Sequence, residues 1–142
     1  MMRRSELREH IFKLLFLTDF HPQTEAEEQT AWYLEDLKEA SEEDAAYIRG
    51  KYARIVEALP RIDEELNAAS EGWKTRRMNR VDLMLLRLAL YEMKLDQDIP
   101  VSVAINEAVE LAKRYGTQES GAFVNGILGR VARELESGEN HE

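Results

Sequence analysis

Apolar residues recur three and four positions apart along most of the chain, and nothing alternates with a period of two, so the pattern predicts helices throughout. Leu7, Ile11, Leu14, Leu15 and Thr18 form one face of a first helix, with Ser5 as its cap and His21 and Pro22 as its stop. Thr24 with Glu27 has the form of a capping box and predicts a second helix that buries Trp32, Tyr33 and Leu37. Ser41 with Asp44 opens a long helix whose stripe of Ile48, Tyr52, Ile55 and Leu59 runs up to Pro60. A short helix over 62–69 follows, with Gly72 as its stop. Asn79 with Asp82 caps a helix from Arg80 to about Leu95 that is apolar nearly all round and is therefore expected at the centre. Pro100 introduces a helix over 101–115, closed by Gly116 where a left-handed residue is wanted. A last helix over 119–135 places Phe123, Ile127, Val131 and Leu135 on one face. These segments predict an all-α, compact bundle of about seven helices, a single domain over 1–136 followed by a polar tail at 137–142.

Composition agrees. At 142 residues the chain is long enough for one domain with its own core, and seven glycines and three prolines argue against a turn-rich β architecture. The absence of cysteine excludes disulfides, thiolate metal sites and cysteine nucleophiles, and fits a reducing compartment. Residues 1–20 alternate charge with apolar groups and do not read as a secretory signal. The longest uncharged run, 120–129, is far short of the ~20 residues a membrane span needs. A cytoplasmic protein with no membrane association is the expectation.

The net charge of -9 looks unsuited to nucleic acid, yet it is unevenly spread. Residues 25–71 carry fourteen acidic and five basic groups, whereas residues 72–94 carry six basic and two acidic. Two basic clusters stand out. Arg3, Arg4 and Arg8 lie at the start of the first helix, where guanidinium groups suit phosphates or merely aid solubility. Lys74, Arg76, Arg77 and Arg80 form the second, either as secondary phosphate contacts or as a solvated edge. Gly126 within a helix implies close approach of another backbone or a ligand, Asn125 is polar within an apolar run, and Phe123 reads as core or as a platform for an unstacked base. No catalytic set converges: His10, His21 and His141 lack metal-binding spacing, Glu107 and Glu110 read as a solvated face, and no phosphate loop or nucleophile elbow is present. The expectation is a binding protein, not an enzyme, with no cofactor and no metal.

The segment Asp98-Ile-Pro-Val-Ser-Val-Ala-Ile-Asn-Glu-Ala-Val-Glu-Leu-Ala-Lys-Arg-Tyr-Gly116, followed by Phe123-Val-Asn-Gly-Ile-Leu128, closely resembles the signature of the NusB family of bacterial transcription antitermination factors. Leu85-Leu-Arg-Leu-Ala-Leu-Tyr-Glu92 and the Arg-Glu pair of the first helix match as well, so the resemblance runs from about Arg3 to Leu135. It implies two small helical subdomains. It also implies binding of the boxA element of nascent ribosomal RNA together with NusE, a small-subunit ribosomal protein, within an RNA polymerase antitermination complex. The RNA-binding roles of the family fall here on Arg3, Arg4, Arg8 and Phe123, with Lys113, Arg114 and Asn125 nearby. Two departures remove positive charge: Ser5, Glu6 and Leu7 interrupt the arginine run, and Ala122 stands where a lysine commonly precedes the phenylalanine. They imply weak RNA binding alone and dependence on the partner. A helical domain of this kind also resembles the N-terminal part of certain ribosomal RNA methyltransferases, which leaves an RNA-targeting module as one alternative and a protein-only adaptor as another. Monomer and homodimer both remain open.

Overall fold

The computed structural model describes residues 1–70 and 74–140, the side chains of residues 138–140 excepted. Gly72 and His141 lie outside the described residues. All regular structure among the described residues is helical, and the chain divides into two compact units, Met1–Glu57 and Ala58–Glu142.

Unit 1 contains α1 (Arg4–Asp19), a 3-10 turn (Gln23–Glu25), α2 (Ala26–Asp36) and α3 (Glu42–Glu57). α1 packs on both α2 and α3, burying Leu7, Ile11, Phe12, Leu14 and Leu15 against Leu34, Ile48, Tyr52 and Ile55. Ser5 is not the cap of α1. The helix begins two residues earlier than a Ser5 cap implies, with Arg3 at the cap position and no side-chain cap, because the Leu7 amide already bonds to the Arg3 carbonyl at 3.0 Å. Thr24 does not cap α2 either; the 3-10 turn absorbs it, and Glu25 precedes the helix without a side-chain cap.

The face that α2 buries also differs from the expected one. Trp32 is 54% exposed, Tyr33 and Leu37 are half-buried, and the buried pair is Thr30 and Leu34. Threonine can take an apolar position because its hydroxyl donates to the Ala26 carbonyl at 2.7 Å, satisfying itself on its own helix. Ser41 and Asp44 do form the expected box. The Asp44 amide donates to Ser41 Oγ at 3.1 Å, and the Ser41 amide donates to Asp44 Oδ2 at 3.2 Å.

Unit 2 contains α4 (Leu59–Ala69), a 3-10 turn (Thr75–Arg77), α5 (Arg80–Lys94), α6 (Val101–Tyr115) and α7 (Ser120–Asn140). Leu59 belongs to α4 and not to the stripe of α3, since Pro60 is accommodated in the first turn of a new helix where no amide is needed. α5 is central as expected, packing on α4, α6 and α7 and burying Leu83, Met84, Leu85, Leu86, Leu88 and Leu90. Asn79 Oδ1 accepts from the Asp82 amide at 2.8 Å and caps it. Arg87 grips Asp63 of α4 with two bonds, Nε to Oδ1 at 2.9 Å and Nη2 to Oδ2 at 2.8 Å, and Lys94 reaches Glu65 at 2.9 Å.

Gly116 ends α6, but not in the left-handed conformation expected. Its φ of -96° and ψ of -163° are extended. Glycine is required by crowding instead: a Cβ there would lie 2.6 Å from Ser120 Cβ and 2.8 Å from the Ala112 carbonyl oxygen. α7 buries Val124, Ile127, Leu128 and Val131, leaving Phe123 and Leu135 half-buried at the edges of that face. It continues to Asn140, so residues 137–140 are helical where a tail was expected. Among the described residues no helix is long and apolar enough to cross a membrane.

Candidate nucleic-acid interface

In unit 1 the arginines separate into two kinds. Arg3 and Arg4 are exposed at the tip of α1, whereas Arg8 is 4% exposed. The spacing explains the difference, because Arg4, Arg8, Ile11 and Leu15 follow one row of the helix, and that row enters the core after its first turn. Arg3 Nε donates to Glu6 Oε1 at 3.0 Å, and this bond holds the Glu6 carboxyl below the usual glutamate range. The chain just before the arginines is fastened. The Met2 amide donates to Asp44 Oδ2 at 3.1 Å, beside a cavity of about 340 Å³ lined in part by Arg4, Leu7, Glu43 and Tyr47. Burial pushes the Asp44 carboxyl up, but the bonds from Met2 and Ser41 outweigh it and leave the group below its ordinary value.

In unit 2 the family signature falls on the α6–α7 junction. Ser120 is buried, and its Oγ accepts from the Thr117 amide at 2.9 Å, which fixes the start of α7. A Cβ on Gly121 would lie 3.2 Å from Lys113 Cγ and 3.9 Å from Val109 Cγ1, so α6 and α7 run close here and the Lys113 stem lies over the glycine. The ammonium group of Lys113 remains in solvent, 3.8 Å from Glu110. Lys113 and Arg114 are both exposed in the last turn of α6, where cations also suit the helix dipole.

Phe123 projects from the first turn of α7, half-buried, while Asn125 is exposed. Two residues apart on a helix, they occupy different sides, so one base cannot meet both. Asn125 instead shares a strip with Ala122 and Gly126, all exposed, and a Cβ on Gly126 would meet nothing within 4 Å. The close approach expected at Gly126 is therefore found at Gly121. The signal for the open strip was present in the three-four spacing of Ala122, Asn125, Gly126 and Gly129, which hydrophobic patterning does not score.

Lys74, Arg76, Arg77 and Arg80 are all exposed along the 3-10 turn and the start of α5. The turn is tied to α4 by the Thr75 amide, which donates to Asn67 Oδ1 at 2.9 Å. Next to it, Asp82 is 5% exposed; its Oδ2 accepts from Asn79, and its Oδ1 has no hydrogen-bond partner among the described residues. No group of three or more His, Asp and Glu side chains that could hold a metal ion occurs among the described residues.

The family model for the NusB family matches residues 5–133. A transcription antitermination protein NusB from Agathobacter rectalis is 48% identical over 131 residues, covering 92% of this chain and 100% of that protein. The NusB protein of Lachnoclostridium phytofermentans is 48% identical over 130 residues, covering 92% of this chain and 98% of the relative. Among solved structures, NusB of T. maritima superposes with a TM-score of 0.82 at 38% identity, over 94% of this chain and 92% of that one. A NusB chain solved with NusE and double-stranded RNA shares the fold, with a TM-score of 0.82 at 22% identity over 94% and 99% of the two chains.

Proposed function

The chain belongs to the NusB family, and from that premise we propose that it binds the boxA element of nascent ribosomal RNA together with NusE and so supports processive transcription by RNA polymerase. The observation that carries the reading is the pair Arg3 and Arg4, exposed at a helix tip whose preceding chain is anchored by the Met2–Asp44 bond. Two guanidinium groups on an ordered segment suit the phosphates of a single strand, where a loose terminus would lose affinity to ordering entropy. A NusB protein of the same fold has been solved with NusE and RNA, which supports the partners proposed.

Phe123 supplies the second element. A half-exposed ring in a fixed first turn can stack on an unpaired base, while Lys113 and Arg114 offer positive charge on the same unit. Arg8 is buried, leaving two exposed arginines at the tip of α1 instead of three. With Ala122 adding no charge, phosphate contacts are few, so RNA affinity depends on NusE.

The test is transcription of a boxA-containing leader upstream of a terminator by a bacterial polymerase with NusE. Read-through should rise when this chain is added and return to baseline when boxA is scrambled. Read-through that ignores either the chain or boxA contradicts the proposal.

A further inference from the structure

A groove of about 640 Å³ opens between α2 and α3 in unit 1, and its lining includes none of the residues assigned to RNA. Its walls are Ala26, Thr30, Ala31, Tyr52, Ala53 and Val56. The two polar residues among them turn their hydroxyls inward: Thr30 donates to the Ala26 carbonyl, and Tyr52 donates to Thr18 Oγ1, each at 2.7 Å. The surface left for a ligand is therefore mostly carbon, which suits aliphatic or aromatic side chains better than a base, a sugar or a polar metabolite.

The rim carries charge. Glu27 on α2 and Glu57 on α3 border the opening, with Arg49 as the lining cation. The surroundings are strongly acidic: residues 25–57 contain ten acidic and four basic side chains. That field repels nucleic acid and a second copy of the same unit, and favours a cation. α2 itself buries just Thr30 and Leu34, so its groove side is open to a partner.

We propose that this groove takes an amphipathic cationic helix from a protein partner, its apolar face on Tyr52, Val56 and the three alanines and its Lys or Arg residues against the acidic rim. The proposal stands apart from RNA recognition, since none of its residues belongs to the arginine tip or to the α6–α7 junction.

The experiment titrates the full chain with a fluorescent Leu/Lys helical peptide of about five turns at ~0.15 M salt, and with the same peptide carrying Glu in place of Lys. The Leu/Lys peptide should bind and the Leu/Glu peptide should not. Ala53→Trp and, separately, Ala31→Trp introduce a ring from exposed positions on either wall. Each should weaken binding at least about tenfold while circular dichroism shows the fold intact. Reversing the rim with Glu27→Lys and Glu57→Lys should exchange the preference between the peptides. Absence of binding, or equal binding by the parent and both Trp variants, would mean diffuse charge attraction or nothing at all, and overturns the proposal. Self-association of the parent that the Trp variants abolish would assign the groove to a second copy, which also overturns it.

Discussion

The backbone amide of Met2 donates to the Asp44 carboxylate at 3.1 Å, joining the chain end to the start of α3 across 42 residues. Asp44 also accepts from Ser41, so one carboxylate both closes a helix cap and anchors the segment leading into Arg3 and Arg4. Its pKa is lowered in the fold, so the carboxylate form stabilises the fold at neutral pH. That contribution is present above the ordinary aspartate value of about 3.9 and is lost as pH falls through the lower folded value. Measured against its intrinsic rate, exchange of the Met2 amide should therefore lose protection on acidification below about pH 4. Asp44→Asn should make it fast already at neutral pH, while unchanged exchange in that variant would show that the anchor holds nothing.

His10 gives a second pH dependence with its own window. Its Nδ1 lies 2.7 Å from the Tyr33 hydroxyl, and burial, followed by the charge of Lys13, lowers its pKa. A histidine that resists protonation in the fold takes up more protons when unfolded. Stability is thus fully present above the ordinary value of about 6.5 and declines as pH falls from there toward the folded value. The thermal midpoint should drop between pH 7.5 and 5.5, and His10→Gln should reduce that drop. An equal drop in both proteins would place the titration elsewhere.

The two glycines flanking the Phe123 turn should respond in opposite ways. Gly116→Ala drives a methyl into Ser120 and the Ala112 carbonyl, so a loss of about 1–3 kcal/mol is expected in chemical denaturation. Gly126→Ala meets open space within a helix and should stabilise by about 1 kcal/mol. If the bare strip of Ala122, Asn125 and Gly126 receives a partner's backbone, the same substitution weakens NusE binding while raising stability. A destabilised Gly126 variant would contradict the open geometry.

Helix number, order and type were legible in the sequence because period, caps and breakers agreed. Asn79 with Asp82, Ser41 with Asp44 and Pro100 each mark a helix start found in the fold. The errors arose where a polar residue took an apolar place or a main-chain bond replaced a side-chain one. Thr30 is buried because its hydroxyl bonds to its own helix, which turns Trp32 outward, and Arg3 starts α1 through its carbonyl, so Ser5 is not needed. Of the candidate site, residue types were readable but exposure was not. Arg4 and Arg8 are identical in sequence terms, and packing alone separates the exposed one from the buried one. The conformation of Gly116 was equally out of reach, since crowding by Ser120 depends on the path into α7.

Arg4 and Phe123 should differ in the character of their RNA defects. Arg4→Ala should weaken all sequences about equally and reduce the slope of log affinity against log salt by about 0.7 for each phosphate that is no longer neutralised. Phe123→Ala should cost about 1–3 kcal/mol and reduce the preference for boxA over scrambled RNA. Binding by the Phe123 variant equal to the parent's, with the fold intact, would return that ring to a packing role.

The central claim is tested most directly by titrating boxA and scrambled RNA with the full chain, alone and with NusE, across a series of salt concentrations. The account predicts weak binding alone that falls with salt on the shallow slope of a few phosphate contacts, with a boxA preference that grows at least about tenfold when NusE is present. Equal affinity for boxA and scrambled RNA in the presence of NusE, or boxA binding that is just as tight without NusE, would contradict it.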